Sequence, residues 1–428
     1  MVPSEEHNSI YDIKISTVSS GFISGHNACQ ELTEMDLAMK LHYLRFVYYF
    51  TTPAFEGLTI INIKETMFNW LNYAYIPCGR FRRSDSGRPY IKCNDSGVRI
   101  IEAKCRMSLD EWLESKDDSR HKLLVPNQVL GPDLNFSPLV MIQLTDFKCG
   151  GKSVGMSWSH VLGDTFSAVG FMNLWSQVFG GHYPARPLTM AQQQARAHDT
   201  PIPDPLSVKR VGPVGDLWST SNSSEMETFS FHISTSELTQ LQAKIYQEKV
   251  DKQIPVFECI CVVIWQSLAN CRDDSGPKVV TICKSDLKNR TKGIITNESQ
   301  AIRVVKTNIS AQKYEPFELG SLIMDNADDE RVNIIEAMGN DKELPDFLIY
   351  GANLTFVDLS DASFYDMEIR GQKPIYVSCV IDNIGDEGVV LVLPRPKGCS
   401  DGRIVSITLP QNQVMKFKSA LKEDWRIG

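Results

Sequence analysis

The stretch Trp158-Ser159-His160-Val161-Leu162-Gly163-Asp164 decides how the rest of this 428-residue chain is read. Residues 153–159 read as a buried strand, and residues 165–179 as a helix. His160 therefore stands at a strand end, where an imidazole can reach a cleft while its backbone stays rigid. An unperturbed imidazole pKa of about 6.5 suits it to take a proton from a hydroxyl or amine at neutral pH. Asp164 can hold the local turn or pair with an arginine. The same residues also fit a satisfied core histidine followed by an aspartate at a helix start, so the motif alone leaves chemistry and packing both open.

Upstream, residues 139–148 and 153–159 flank Cys149-Gly150-Gly151 and predict a hairpin. Residues 11–18 alternate and predict a strand. Thr33-Glu34-Met35-Asp36 has the form of a capping box, and Leu37, Leu41, Leu44 and Tyr48 recur after it at helical spacing. A second helix is expected over 61–73. Residues 90–94 and 98–103, joined by Asp95-Ser96-Gly97, predict another hairpin, and Ser108-Leu109-Asp110-Glu111 opens a further capped helix.

Downstream, residues 180–225 carry Pro184, Pro187, Pro201, Pro203, Pro205 and Pro213 with no sustained period, which reads as a crossover linker. The second half restarts with a strand at 227–233 and a helix opened by Ser234-Thr235-Ser236-Glu237. A helix follows over 256–270, then strands at 279–283, 301–305, 353–357, 374–381, 388–393 and 403–409. A long helix around 317–338 and a closing helix from Gln411 complete it. Both halves mix sheet and helix, so the class is α/β or α+β in two domains, 1–180 and 226–428, joined by 181–225.

Composition narrows the function. Hydrophobic residues make up 42 % and charged residues 22 %, which excludes a disordered or collagen-like chain. A net charge of −8 argues against nucleic acid and against electrostatic docking on anionic lipid. The start, Met1-Val2-Pro3-Ser4-Glu5-Glu6, has no basic region followed by an apolar one, so no signal peptide is expected. The 11 cysteines are then expected to be reduced thiols in a cytosolic setting. No apolar run approaches the ~18 residues of a membrane span. His160 and Asp164 lack a third metal ligand at a diagnostic spacing. Cys259 and Cys261 lie two apart in a helical apolar run and read as core. Gly-x-Ser-x-Gly, a Walker A loop and Gly-x-Gly-x-x-Gly after a strand are absent. Asn94-Asp95-Ser96 matches a glycosylation acceptor but reads as a turn.

Several runs, in order, resemble the plant BAHD acyltransferase family along nearly the whole chain. They are Pro77-Cys78-Gly79-Arg80, then Cys93-Asn94-Asp95-Ser96-Gly97-Val98, then Pro138-Leu139 with Gln143 to Gly151, and then His160 to Asp164. The resemblance implies two chloramphenicol-acetyltransferase-like α/β domains with a channel between them, reached by acyl-CoA from one side and acceptor from the other. It implies that His160 deprotonates the acceptor, which attacks the thioester, while Asp164 is structural and pairs with an arginine. Arg290 is the candidate partner. No permanently bound cofactor and no metal are implied.

The family's second signature, Asp-Phe-Gly-Trp-Gly before Lys-Pro, is not intact. Glu368-Ile369-Arg370-Gly371-Gln372 stands in its place before Lys373-Pro374, with Glu368 where the aspartate would be and the tryptophan lost. Glu368 joins His160 and Asp164 as a candidate site residue on that alignment alone. Met35 to Tyr43, Val129-Leu130-Gly131-Pro132-Asp133-Leu134 and Tyr350 to Val357 resemble the eceriferum branch, BAHD-like proteins required to extend very-long-chain fatty acids for cuticular wax. That branch implies action with the 3-ketoacyl-CoA synthase condensing enzyme of the endoplasmic reticulum elongase. It implies a peripheral, cytosolic-side location and a dispensable acyl-transfer histidine. The alternative is an ordinary acyl-CoA-dependent acyltransferase with His160 as general base.

Overall fold

The computed structural model describes residues 9–115, 118–192, 203–246, 253–272, 276–325, 328–340, 345–396 and 402–427. The polar start at 1–8, residues 193–202 of the proline-rich connection and residues 326–327 of the expected long helix lie outside them.

Two sheets organise the chain. The first has the strand order Ile10–Val18, Val98–Cys105, Val140–Asp146, Lys152–Ser159, Tyr43–Phe50, Tyr376–Asp382. The second runs Met226–Ile233, Arg403–Pro410, Val389–Pro394, Leu354–Asp358, Val279–Ser285, Gln300–Lys306, Asp328–Asp329. Each carries helices, the α/β class expected for two chloramphenicol-acetyltransferase-like units. The second half lends the first sheet a strand: Tyr376–Asp382 pairs antiparallel with Tyr43–Phe50. Arg45 reaches Asp382 of that strand at 3.0 Å. One apolar core consequently includes Met35, Trp158 and Phe171 from the first half with Ile302, Tyr350 and Ile381 from the second. A second core surrounds the helix Val256–Cys271, where Cys259 and Cys261 are both buried as core side chains.

The 139–159 hairpin forms as Val140–Asp146 paired with Lys152–Ser159. The helix after the motif spans Thr165–Phe179 and packs Phe171 against Trp158 and Trp70, with ring centroids 5.1 and 4.2 Å apart. Burial of one such ring contributes about 1.5–3 kcal/mol.

Three expectations are corrected. Leu44 and Tyr48 do not continue a helix from the Thr33 capping box. That box forms, but its helix is only Glu34–Ala38. Tyr43–Phe50 is a strand buried along its whole length. An aromatic run that is apolar except for Arg45, whose charge is met by Asp382, suits an interior strand covered on both faces, and its accidental helical spacing carries no weight there. Residues 90–94 and 98–103 form strands, but not with each other. Pro89–Lys92 pairs with Cys29–Glu31 and Arg80–Arg83, while Val98–Cys105 joins the first sheet. The long helix is two, Pro316–Asp325 and Arg331–Asn340, with Asp328–Asp329 extended along the second sheet. Asp329 Oδ1 accepts from the Arg331 backbone N–H at 3.1 Å, an Asx turn that leads into the second helix.

Candidate active site

His160 leaves the end of the strand Lys152–Ser159 in a single tight turn, closed by Gly163 N–H donating to the His160 carbonyl at 3.0 Å. A side chain at Gly163 would meet Ile295 at 2.8 Å and Ser167 at 2.9 Å, so only glycine fits between the strand and the next helix. Trp158 Nε1 donates to the Gly163 carbonyl at 2.9 Å and fastens the turn from the core side.

The backbone of His160 is held from both sides. Its N–H donates to the His42 carbonyl at 3.0 Å, and its carbonyl accepts from Asn297 Nδ2 at 2.9 Å. Asn297 Nδ2 also donates to Asp36 Oδ1 at 2.9 Å, which links the Thr33 capping box to the site. Burial pushes the Asp36 carboxyl up to about 7, against the hydrogen bonds from Thr33 and Asn297.

The imidazole of His160 is 0 % exposed. Its Nε2 lies 3.0 Å from the hydroxyl of Tyr350, and that hydroxyl donates to Gln300 Oε1 at 3.1 Å. A hydroxyl has one proton. With it given to Gln300, the Tyr350 oxygen accepts from His160 Nε2–H, the tautomer in which Nε2 has no lone pair to take a proton. Burial lowers the His160 pKa to about 4, so the ring is neutral near pH 7. Burial also drives the Tyr350 hydroxyl well above its ordinary value, so it holds its proton.

A second histidine backs the tyrosine. His42 Nδ1 faces the Asn383 carbonyl at 3.1 Å, and its Nε2 accepts from the Ile349 backbone N–H at 3.0 Å. Those partners fix a neutral ring protonated at Nδ1. Burial, and then His160, lower the His42 pKa to about 3. The His42 ring meets Tyr350 edge-on, centroids 4.9 Å apart. Gly351, at φ 79°, makes the turn that sets Tyr350 here, and a side chain on it would meet the Gly385 carbonyl at 2.4 Å.

Asp164 is a structural residue in its geometry. It caps the helix Thr165–Phe179 by accepting from Ser167 N–H at 2.9 Å. Arg290 grips both its oxygens at 2.7 Å and also donates to Ser167 Oγ at 2.7 Å. The sequence thus indicated the right arginine. Glu368 is not brought to this site. It is exposed, and its backbone N–H and carbonyl are both tied to Ser176 Oγ at 2.7 Å. The Arg370-Gly371 turn beside it has φ of 51° and 78°, a tight reversal closed by two hydrogen bonds between Ile369 and Gln372.

Sequence reasoning missed His42, Asn297, Gln300 and the part played by Tyr350. Tyr350 stood in one of the runs that mark the branch, but its pairing with a residue 190 positions away has no local signature. Among the described residues, no group of three or more His, Cys, Asp or Glu is placed to hold a metal ion. No helix of those residues is long and apolar enough to cross a membrane.

Comparison with known proteins places the chain in a family and its fold among solved structures. The profile of the Transferase family matches residues 26–300. Protein ECERIFERUM 26-like of Arabidopsis thaliana is 38 % identical over 99 % of this chain and 98 % of its own length. Protein ECERIFERUM 2 of the same plant is 37 % identical over 96 % of this chain and 98 % of its own. The crystal structure of F. sporotrichioides TRI101 complexed with coenzyme A and T-2 superposes with a TM-score of 0.70 at 14 % identity, over 93 % of this chain and 98 % of that one.

Proposed function

This chain belongs to the BAHD transferase family, in its eceriferum branch, and on that premise we propose that it serves cuticular wax formation without ordinary acyl transfer. It is required for extending very-long-chain fatty acids, and it acts with the 3-ketoacyl-CoA synthase condensing enzyme of the elongase. Very-long-chain acyl-CoA is its small-molecule ligand. It works on the cytosolic side of the endoplasmic reticulum, held there by its partner.

One observation supports the non-catalytic part above all others. The Tyr350 hydroxyl sits 3.0 Å from His160 Nε2, where an acceptor hydroxyl must sit to lose its proton. The base is occupied by the protein's own side chain, and Gln300 completes that bond. The Arg370-Gly371 turn in place of the family's Gly-Trp-Gly supports the same reading, since a large ring is missing from that segment.

The test is co-expression with a plant condensing enzyme in yeast, followed by fatty-acid chain-length analysis and co-purification. The expected result is a shift to longer products together with a physical complex. Unchanged chain lengths and no complex contradict the proposal.

A further inference from the structure

We infer that the groove between the strand Arg80–Arg83, the loop from Pro132 to Asn135 and Asp216 docks an acidic segment of the chain's protein partner, with a carboxylate of that segment gripped side-on by Arg82. The inference rests on the reading that the chain works bound to a condensing enzyme, and it adds the surface and the chemistry of the contact.

The groove is built largely from a run that marks the branch. Val129 to Leu134 resembles the eceriferum proteins, and Pro132, Asp133 and Leu134 line a space of about 580 Å³ with Arg82, Arg83 and Asp216. Its walls are fastened to each other. Gly131, at φ 89°, lets the loop meet the crossover segment, and a side chain on it would run into the Asp216 carbonyl. Trp218 N–H donates to the Leu130 carbonyl at 3.2 Å. The Tyr43 hydroxyl accepts from the Leu130 N–H at 2.9 Å and donates to the Trp218 carbonyl at 2.8 Å. The groove is therefore preformed, and docking there costs little ordering of its walls.

Two neighbouring arginines differ in one respect. Arg83 holds Asp216 Oδ1 with both Nε, at 2.9 Å, and Nη2. Arg82 is anchored as well but has no acid. Its Nη1 donates to the carbonyls of Phe81 and Asn135 at 2.7 and 3.0 Å and to Asn135 Oδ1 at 3.1 Å, which fixes the guanidinium. Its Nε and Nη2, an edge that can grip a carboxylate with two parallel bonds, have no partner among the described residues. The acids of the groove are engaged: Asp216 by Arg83, and Asp133 Oδ1 by the Asn135 N–H at 3.2 Å. Positive charge gathers around Arg82. Arg80 is buried against the carbonyls of Gly79 and Gly97, at 2.7 and 3.0 Å, with no carboxylate partner among the described residues. Arg99 Nε is buried with no hydrogen-bond partner among them. Burial, and then the Arg99 charge, lower the Arg80 pKa to about 10, and Arg82 adds to this. A chain of net charge −8 thus keeps a locally positive site, which an acidic partner complements. Phe136 and Leu217, which follow Asn135 and Asp216 in the chain, are 76 % and 43 % exposed. Arginine and aromatic side chains carry much of the energy of protein interfaces.

The experiment titrates a detergent-solubilised plant condensing enzyme against the purified full chain at low and high salt. The natural complex should weaken with salt, and Arg82→Glu should weaken it at least about tenfold at low salt. Lys416→Glu makes the same change of charge at an exposed position of the closing helix Gln411–Ala420, and it should bind like the natural chain. If Arg82→Glu unfolds the chain, Phe136→Ser carries the test, because it leaves the Arg82–Asn135 anchor in place. It should also weaken the complex about tenfold, the loss typical of an interface anchor. Natural affinity in a folded Arg82→Glu, or in Phe136→Ser where that variant carries the test, overturns the inference alone. So does a natural complex indifferent to salt, or a loss in Lys416→Glu as large as that in Arg82→Glu. No complex with the natural chain overturns the partner reading and the inference with it.

Discussion

The two ends of the motif, His160 and Asp164, sit in one turn and have come to opposite conditions. At the Asp164 end the buried carboxylate has partners on both oxygens. The carboxylate caps a helix and is gripped at both oxygens by Arg290. At the His160 end the base is in place but closed, with a tyrosine hydroxyl against its reactive nitrogen. The Asp164–Arg290 pair holds the turn and the helix start, while the Nε2 of His160 faces the Tyr350 hydroxyl.

The comparison can be broken at either end. The largest effect is expected from Arg290→Ala, which leaves the buried Asp164 carboxylate without its counter-charge. Loss of one partner of a buried pair costs about 3–5 kcal/mol, read as a lower denaturation midpoint. Arg290→Lys should recover only part of this, because an ammonium cannot grip two oxygens as a guanidinium does. An effect below about 1 kcal/mol for Arg290→Ala would put the pair in the weak class of surface ion pairs and break the comparison at this end.

At the other end, Tyr350→Phe removes one oxygen. It leaves Gln300 Oε1 and His160 Nε2 without their partner, and an unsatisfied buried polar group costs about 1–3 kcal/mol. Urea titration of the two proteins side by side measures it. A neutral or stabilising change would mean that the hydroxyl is not bonded as described.

Acid should act on the histidines. His42, His121 and His160 are buried, and burial lowers their pKa values to about 3, 4 and 4, below the ordinary 6.5. The unfolded chain takes up these protons first. Their stabilisation is complete above pH 6.5 and is lost as the pH falls through that value toward the folded-state pKa values. Each adds a slope of up to about 1.4 kcal/mol per pH unit. Asp36 works the other way. Its folded pKa is raised to about 7 from 3.8, so its contribution is full below 3.8 and is lost as pH rises through 7. Three groups outweigh one, so stability should fall between about pH 6.5 and 4. Asp36→Asn should steepen that fall, and denaturant midpoints across the range for both proteins test it. A flat profile would contradict the burial of the three rings.

The sequence carried the frame better than the contents of the site. The helix Thr165–Phe179 and the capping boxes at Thr33 and Ser234 were legible because they depend on neighbours within four residues. Arg290 was legible only through family resemblance. Tyr43–Phe50 was misread because a buried strand and a buried helix segment share the same apolar composition. The partners of Val98–Cys105 were missed because a good turn between two strands does not say which sheet each joins. The seal on His160 could not be read at all. It is made by Tyr350, Gln300 and His42, each set by long-range packing between the two halves. Glu368 was placed in the site by alignment to a signature whose local turn has been rebuilt around Arg370 and Gly371.

The central claim is that the protein works in fatty-acid elongation without His160 acting as a base. The most direct measurement is the acyl chain length made in yeast by a plant condensing enzyme co-expressed with this protein or its His160→Ala variant, at matched protein abundance. The account predicts the same shift to longer chains with both. A general base contributes about 10²–10⁴-fold in rate, so if the shift vanishes in a folded, equally abundant His160→Ala protein, a proton-transfer step survives and the account is contradicted.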